Sequence, residues 1–420
     1  MMTINNKSVE RNAGLLIILA ALGYFVDAYD LIVASVVRSS AIVSLGLAEV
    51  GTAEHLSYSY LFENAQSFGI LLGGVLFGIL GDKFGRRKIL YASILIYSIA
   101  NILNGLLTSS VPYVSLVYCV LRFAGGFALA AELSVGIVMI SETMKAKSRG
   151  FGSMIVVSFG VLGCVLAAFL FEFLKLPWQA LFLIGGIAGL LLLVFRYGIN
   201  ETSHYLEAQT QRPRSERGNL GLVFKNKRLV KIFINAILLG FPIYFFVSIP
   251  VKFAADYGRE IGLTIAGTIP IIVFYITLSL SDVLANYLSQ VFKSRKKVIN
   301  IYLLFCIIPV ICLYFFPPTT PEQYFYLFAP LMGFASGYWA LLITFTAEQV
   351  GTNIRSTFTT SVPNIIRSLF IPISILLTYL QPTFGTSAAV FFIGLVAVAL
   401  ALFGNNSLKE TWGRDLNFVD

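Results

Sequence analysis

Runs of apolar residues, each long enough for a helix and separated by short polar turns, recur from residue 12 to residue 404. A helix rises 1.5 Å per residue, so ~20 apolar residues cross the hydrocarbon layer of a bilayer. The pattern predicts twelve spans, at 12–38, 58–80, 88–108, 112–142, 150–174, 178–199, 230–254, 262–287, 297–316, 323–348, 355–380 and 385–404. Turns on one side are short and carry proline, as at Pro112, Pro177, Pro317-Pro318 and Pro382. One long polar stretch, with Arg212, Pro213, Arg214, Glu216, Arg217 and Gly218, reads as a linker. The predicted organisation is a six-helix bundle in 1–200, a linker at 201–229, a second six-helix bundle in 230–405 and a tail at 406–420. The first apolar run is too long for a cleaved signal, contains Asp27 and Asp30 and ends in no small-residue site, so it is expected to remain as a span.

Composition agrees with lipid as the solvent. The chain has 420 residues, 57% hydrophobic and 12% charged, with a mean hydropathy of +0.82; soluble domains are nearer one quarter charged. The net charge of +9 lies at span ends, which excludes a nucleic-acid surface. With both termini in the cytoplasm, 24 of the 30 basic residues fall on that side, including Lys83, Arg87, Lys145, Lys293 and Arg295. Arg38, Lys175, Lys252 and Arg259 fall on the other face, and Arg122 and Arg367 stay within the membrane. This asymmetry fixes the expected topology. Cys119, Cys164, Cys306 and Cys312 all lie in apolar spans and form no CxxC pair, so they read as buried thiols. His55 and His204 fall in opposite loops and make no metal site. No cofactor is implied.

A charged step occurs twice. Glu142 stands seven residues before Arg149, and Glu348 seven before Arg355, each at the exit of an apolar segment. The recurrence indicates a duplicated unit of spans, which is how many secondary transporters are built.

Between the second and third spans the chain reads Gly78-Ile79-Leu80-Gly81-Asp82-Lys83-Phe84-Gly85-Arg86-Arg87-Lys88. This resembles the signature loop of the major facilitator superfamily. Glu142-Thr143 with Arg149-Gly150 resembles that family's step after span four, with Ser141 in place of the usual proline. Glu201 to Leu206 and Lys409 to Leu416 resemble loop and tail motifs of its sugar-porter branch. The resemblance implies a twelve-helix, all-α transporter that works by alternating access, as a monomer, in a bacterial inner (cell) membrane. It also implies cytoplasmic ion pairs as gates: Asp82, Gly85, Arg86, Glu142 and Arg149 in the first half, with Asp282, Glu348 and Arg355 in the second. The second-half counterpart of the signature loop is degraded, because no glycine stands four residues before Asp282 and the bases come late.

Charges inside the spans carry the functional reading. An ionisable side chain at the bilayer centre costs ~2.5–3.5 kcal/mol even on the mild insertion scale. Asp27 and Asp30, three apart, are expected to share a face of the first span. Close carboxylates repel, which suits one of them to take and release a proton. Arg122 is placed near the midplane of span four, with Glu132 further toward the cytoplasm; a guanidinium keeps its charge and needs an anion. Asp27, Asp30 and Glu132 are therefore the proton-coupling candidates. The DAYDL run and the Arg-to-acid spacing also resemble phosphate–proton and metabolite–proton symporters. Glu132 followed by Leu133 departs from the phosphate pattern.

The substrate-binding candidates are Arg122, Arg367, Asn64, Gln66, Tyr244, Tyr338, Trp339 and Asn364. Pro363 is expected to break the helix beside Asn364 and Arg367. Glu63 is expected near the outer surface, solvated. The function these features predict is proton-coupled symport of a small polar metabolite, an organic acid or amino acid before a neutral sugar. A proton-coupled exporter and a facilitator of neutral sugars remain alternatives. An enzyme is not expected, because no nucleophile–base pairing, metal cluster or phosphate-binding glycine loop is present.

Overall fold

The structure, a computed structural model, describes residues 6–84, 86–131, 149–196, 224–351 and 354–414. Every regular element among them is helical. In oil, a chain satisfies its own N–H and C=O groups or leaves them unsatisfied at several kcal/mol each, so apolar runs wind into helices. The first part comprises α1 (Asn6–Ser44), α2 (Ala53–Phe84), α3 (Arg86–Gly105), α4 (Val114–Leu129), α5 (Arg149–Glu172) and α6 (Trp178–Arg196). The second part opens with α7 (Lys227–Leu239), α8 (Phe241–Phe246), a π-helical stretch (Val247–Lys252) and α9 (Ala254–Glu260). It continues with α10 (Thr268–Val291), α11 (Arg295–Phe315), the single turn α12 (Pro321–Gln323), a second π-helical stretch (Tyr324–Phe328), α13 (Ala329–Ala335) and α14 (Trp339–Glu348). It closes with α15 (Arg355–Arg367), α16 (Phe370–Phe384) and α17 (Thr386–Ser407). Eleven stretches among the described residues are long and apolar enough to cross a membrane. α4 is a shorter apolar helix and runs to the edge of the described residues.

Two boundaries differ from the expected ones for a chemical reason. α1 continues past Arg38 to Ser44, and α2 starts early enough to take in His55, which is buried rather than in a loop. Charged residues expected to end these spans are paired inside the protein instead.

Three spans are interrupted. Pro250 has no N–H to close an α-turn, and the chain around it opens into a π-helical stretch, with the Tyr324 hydroxyl donating to the Pro250 carbonyl. Residues 336–338 separate α13 from α14. α15 runs straight through Pro363, contrary to expectation, because proline removes one N–H without forcing a stop. The break comes at Ser368 instead, whose hydroxyl lies 2.9 Å from the Ser67 carbonyl oxygen and 2.8 Å from that of Asn364.

Within the first part α1 packs on α5, α2 on α4 and α3 on α6; within the second α10 packs on α13 and α11 on α17. Two seams join the parts: α2 against α15 and α16, and α5 against α10 and α14. Gly74 sets the approach at the first seam, where a Cβ would stand 2.5 Å from that of Asn364. Small residues allow this contact between helices that share no hydrophobic driving force in lipid.

Candidate functional site

The two acids of α1 face different surroundings. Asp30 is fully buried against α6, where a Cβ on Gly185 would lie 2.1 Å from Asp30 Oδ1; only glycine leaves the carboxylate its room. Asn101 of α3 and Arg122 of α4 complete its environment. Arg122 is 1% exposed, with Cζ 5.0 Å from the Phe182 ring centroid. Its three nitrogens meet no acceptor at hydrogen-bond distance among the described residues. Asp27, also buried, is a counter-charge of Arg367 on α15 instead. Three residues along a helix differ by roughly 60° in direction. That is enough to place one acid inside the first group of helices and the other toward the second.

Between the two parts lies a cavity of about 40 Å³. Its polar and aromatic walls are Tyr24, Cys164, Tyr244, Tyr275, Trp339 and Arg367. Tyr24 is the hub. Its hydroxyl oxygen accepts from Arg367 Nη2 at 3.1 Å and from Trp339 Nε1 at 3.3 Å, and Arg367 Cζ stands 5.8 Å from its ring centroid. Cys164 donates to the Ala28 carbonyl at 3.2 Å, tying α5 to α1. A cavity of this size holds roughly three waters. The parts must separate to admit any larger solute.

Of the expected substrate-binding residues, the structure brings Arg367, Tyr244 and Trp339 to the cavity wall. Arg122 sits with Asp30. Gln66 donates to the Leu31 carbonyl at 3.0 Å, and Tyr338 to the Leu239 carbonyl at 2.8 Å. Asn364 donates across the seam to the Ala130 carbonyl at 2.7 Å, and Asn64 accepts from Ser374 at 3.2 Å. The last four hold helices together. Sequence reasoning missed Tyr24 and Tyr275. Tyr24 carried one usable signal, standing one helical turn before Asp27 on the same span. Glu132, Glu142 and Gly85 lie outside the described residues, as do the side chains of Asp82, Arg86 and Arg149.

Charged clusters close both ends. At the Lys252 end, Glu63 is not solvated as expected but 3% exposed; it accepts from Lys252 Nζ at 3.0 Å and from the Ser35 hydroxyl. Arg38 pairs with Asp256 at 2.8 Å, and Arg259 pairs with the same carboxylate at 2.6 Å. At the other end, Glu410 accepts from the Ser294 hydroxyl and from the backbone N–H groups of Arg295 and Lys296 at 3.0 and 3.2 Å, capping α11. Glu348 lies 3.6 Å from Arg295 and accepts from Thr411 at 2.7 Å. Arg355 donates to the Ala347 and Val350 carbonyls.

Asp282, expected to serve as a cytoplasmic gate, is instead buried in the middle of α10. It accepts from the Ala340 N–H at 2.9 and 3.2 Å, at the start of α14. The late bases, Arg295, Lys296 and Lys297, open the next helix, α11, more than three helical turns further on.

The sequence profile of the Major Facilitator Superfamily matches residues 20–371. The chain belongs to this superfamily. It is a multi-pass integral membrane transporter rather than an enzyme, and its bacterial relatives point to the inner membrane. A Bacillus subtilis protein named as a niacin/nicotinamide transporter, NiaP, is 26% identical over 409 residues, covering 93% of this chain and 96% of that one. A Cupriavidus pinatubonensis protein named as a 4-methylmuconolactone transporter is 26% identical over 411 residues, covering 93% and 89%. Among solved structures, the proton:xylose symporter XylE bound to 6-bromo-6-deoxy-D-glucose superposes with a TM-score of 0.73 at 17% identity, covering 96% of this transporter and 98% of XylE. That likeness is one of fold.

Proposed function

We propose that this transporter carries a small planar organic acid together with a proton, by alternating access between two six-helix bundles. The bundles are residues 1–200 and 230–405, joined by a linker at 201–229 and followed by a tail at 406–420. Twelve spans with both termini in the cytoplasm agree with the distribution of Lys and Arg. The Lys252 end then faces outward and the Glu410 end faces the cytoplasm.

The observation that carries this reading is Arg367 set among Tyr24, Tyr244, Tyr275 and Trp339. A guanidinium presents a planar fork to a carboxylate, and aromatic faces stack on flat rings. Niacin, the cargo named for the Bacillus subtilis relative, is a flat pyridine ring with one carboxylate. Charge balance supplies the coupling. Asp27 offsets Arg367 when the cavity is empty, and the cargo carboxylate replaces it. Asp30, beside Arg122, carries the proton. The rocking bundles release both on the cytoplasmic side, where the Glu348 cluster and the Asp82 loop act as gates.

Uptake of labelled nicotinate into proteoliposomes under an inward proton gradient tests this. Accumulation that collapses with a protonophore is expected. Uptake indifferent to the gradient removes the coupling, and equal uptake of xylose or nicotinamide removes the substrate class.

A further inference from the structure

The charged cluster at the Lys252 end is built across the boundary between the two parts. Arg38 on α1 and Glu63 on α2 come from the first; Lys252, Asp256 and Arg259 come from the second. Both close pairs cross it: Glu63 with Lys252 at 3.0 Å and Arg38 with Asp256 at 2.8 Å. Arg38 also donates to the Lys252 carbonyl at 3.3 Å. Its Cζ lies 3.7 Å from the Phe253 ring centroid, and that ring stacks between Tyr60 and Phe370. Arg38, Glu63 and Lys252 are all buried. His55, also buried, stands within electrostatic reach of Asp256, Arg38 and Arg259.

Separating buried ion pairs without replacement would strand charges in a poorly solvated place. The distribution of charge avoids this. The first part keeps one base and one acid, Arg38 and Glu63, already within electrostatic reach of each other. The second keeps Lys252, Asp256 and Arg259, with Asp256 already 2.6 Å from Arg259.

We propose that these residues form a partner-exchanging latch: Glu63 holds Lys252 and Asp256 holds Arg38 when the outer seam is closed, and on opening Glu63 pairs with Arg38 while Asp256 pairs with Lys252 and Arg259. The latch rests on the transport reading but not on the identity of the cargo. Each charge keeps a partner in both states, so opening exchanges pairs instead of losing them. A plain latch lacks this property, because its open state leaves Glu63, Lys252 and Arg38 unmatched while only Asp256 keeps a partner, Arg259.

The test needs no substrate. Closing is read in a cysteine-free background as cross-linking of Asn64→Cys to Ser374→Cys, whose native side chains touch across the outer seam at 3.2 Å. Opening is read with Cys164 as the sole cysteine, since its thiol lines the cavity, by labelling with a membrane-impermeant maleimide from the Lys252 side. Glu63→Gln and Lys252→Met are each expected to lower cross-linking at least fivefold and to raise Cys164 labelling. Asp256→Asn, at a partly exposed position, is expected to do the same.

The charge swap Glu63→Lys with Lys252→Glu separates exchange from simple pairing. It restores the closed pair with its ends exchanged, so cross-linking is expected to exceed that of either Glu63→Gln or Lys252→Met, although a base at position 63 stays within reach of Arg38. In the open state it sets base against Arg38 and acid against Asp256, so Cys164 labelling stays at least fivefold below wild type. Labelling at the wild-type rate in the swapped protein would overturn the exchange. Unchanged cross-linking in all three single variants would show a static network and overturn the latch. Wild-type protein whose Cys164 never reacts from outside would remove the alternating-access reading itself.

Discussion

Arg367 donates to the Tyr24 hydroxyl at 3.1 Å, from 343 positions further along the chain. The same oxygen accepts from Trp339, so one phenol on α1 orients two cavity residues of the second part. Tyr24→Phe removes that acceptor while keeping the ring. A buried donor left without its partner costs ~1–3 kcal/mol. Nicotinate binding, read by tryptophan fluorescence, is expected to weaken about tenfold, equivalent to ~1.4 kcal/mol. The helical circular dichroism signal should stay unchanged. Unaltered affinity would remove Tyr24 from the site.

The two acids of α1 are expected to fail in different ways. Asp27→Asn takes the competing charge from beside Arg367. Nicotinate should then bind about threefold to tenfold more tightly, a gain of roughly 1 kcal/mol, while turnover falls because release slows. Asp30→Asn removes the proposed proton carrier next to Arg122. Exchange of labelled for unlabelled nicotinate should persist, and uphill accumulation driven by a proton gradient should disappear. Parallel equilibrium binding and uptake measurements on both variants check the contrast. Loss of exchange in Asp30→Asn would assign that residue to cargo binding instead.

The sequence made the spans legible because a bilayer demands one pattern, about 20 apolar residues without relief. It made Asp27, Asp30, Arg122 and Arg367 legible because charge in oil is costly wherever the helices face. It did not reveal which way each acid points, since that depends on glycines such as Gly185 on another helix. Glu63 looked solvated, because it sits near a span end and its partner Lys252 is 189 positions away. Tyr24 and Tyr275 were hidden by abundance. Among 36 Phe and 20 Tyr, no local pattern separates a cavity wall from lipid-facing bulk.

The tail offers a pH-dependent contact. Burial pushes the Glu410 carboxyl up, but the Ser294 hydroxyl and the N–H groups of Trp412, Arg295 and Thr411 outweigh it and hold the group below its ordinary value of 4.5. An acid depressed in the docked state stabilises docking fully above its free value, and that contribution fades as pH falls through the docked value. The tail should therefore stay on α11 at neutral pH and loosen only in acid, below about pH 4.5. Glu410→Gln should mimic the acid state at neutral pH, since the uncharged amide suits the helix N-terminus less well. Hydrogen exchange of residues 409–414 is expected to rise several-fold in the variant. Equal protection in the variant and wild type would show that the carboxylate does not hold the tail.

Asp282 is expected to act on the cavity without touching it. Its carboxylate receives the Ala340 N–H at the first turn of α14, and Trp339, the residue before, lines the cavity. An acceptor oxygen at a helix N-terminus meets an N–H that the helix itself leaves unpaired. The neighbouring Ser281 hydroxyl donates to the Phe334 carbonyl at 2.8 Å, so α10 grips both sides of the break between α13 and α14. Asp282→Ala should cost about 1–3 kcal/mol, because it leaves a buried N–H unpaired. It should also free Trp339, seen as a broader, red-shifted tryptophan emission and a weaker nicotinate affinity. Asp282→Asn keeps an acceptor oxygen and should restore most of the stability but only part of the affinity. If Asp282→Ala destabilised the fold with emission and affinity both unchanged, the carboxylate would be a packing element alone, and the position of Trp339 would have to be set from α1 through Tyr24.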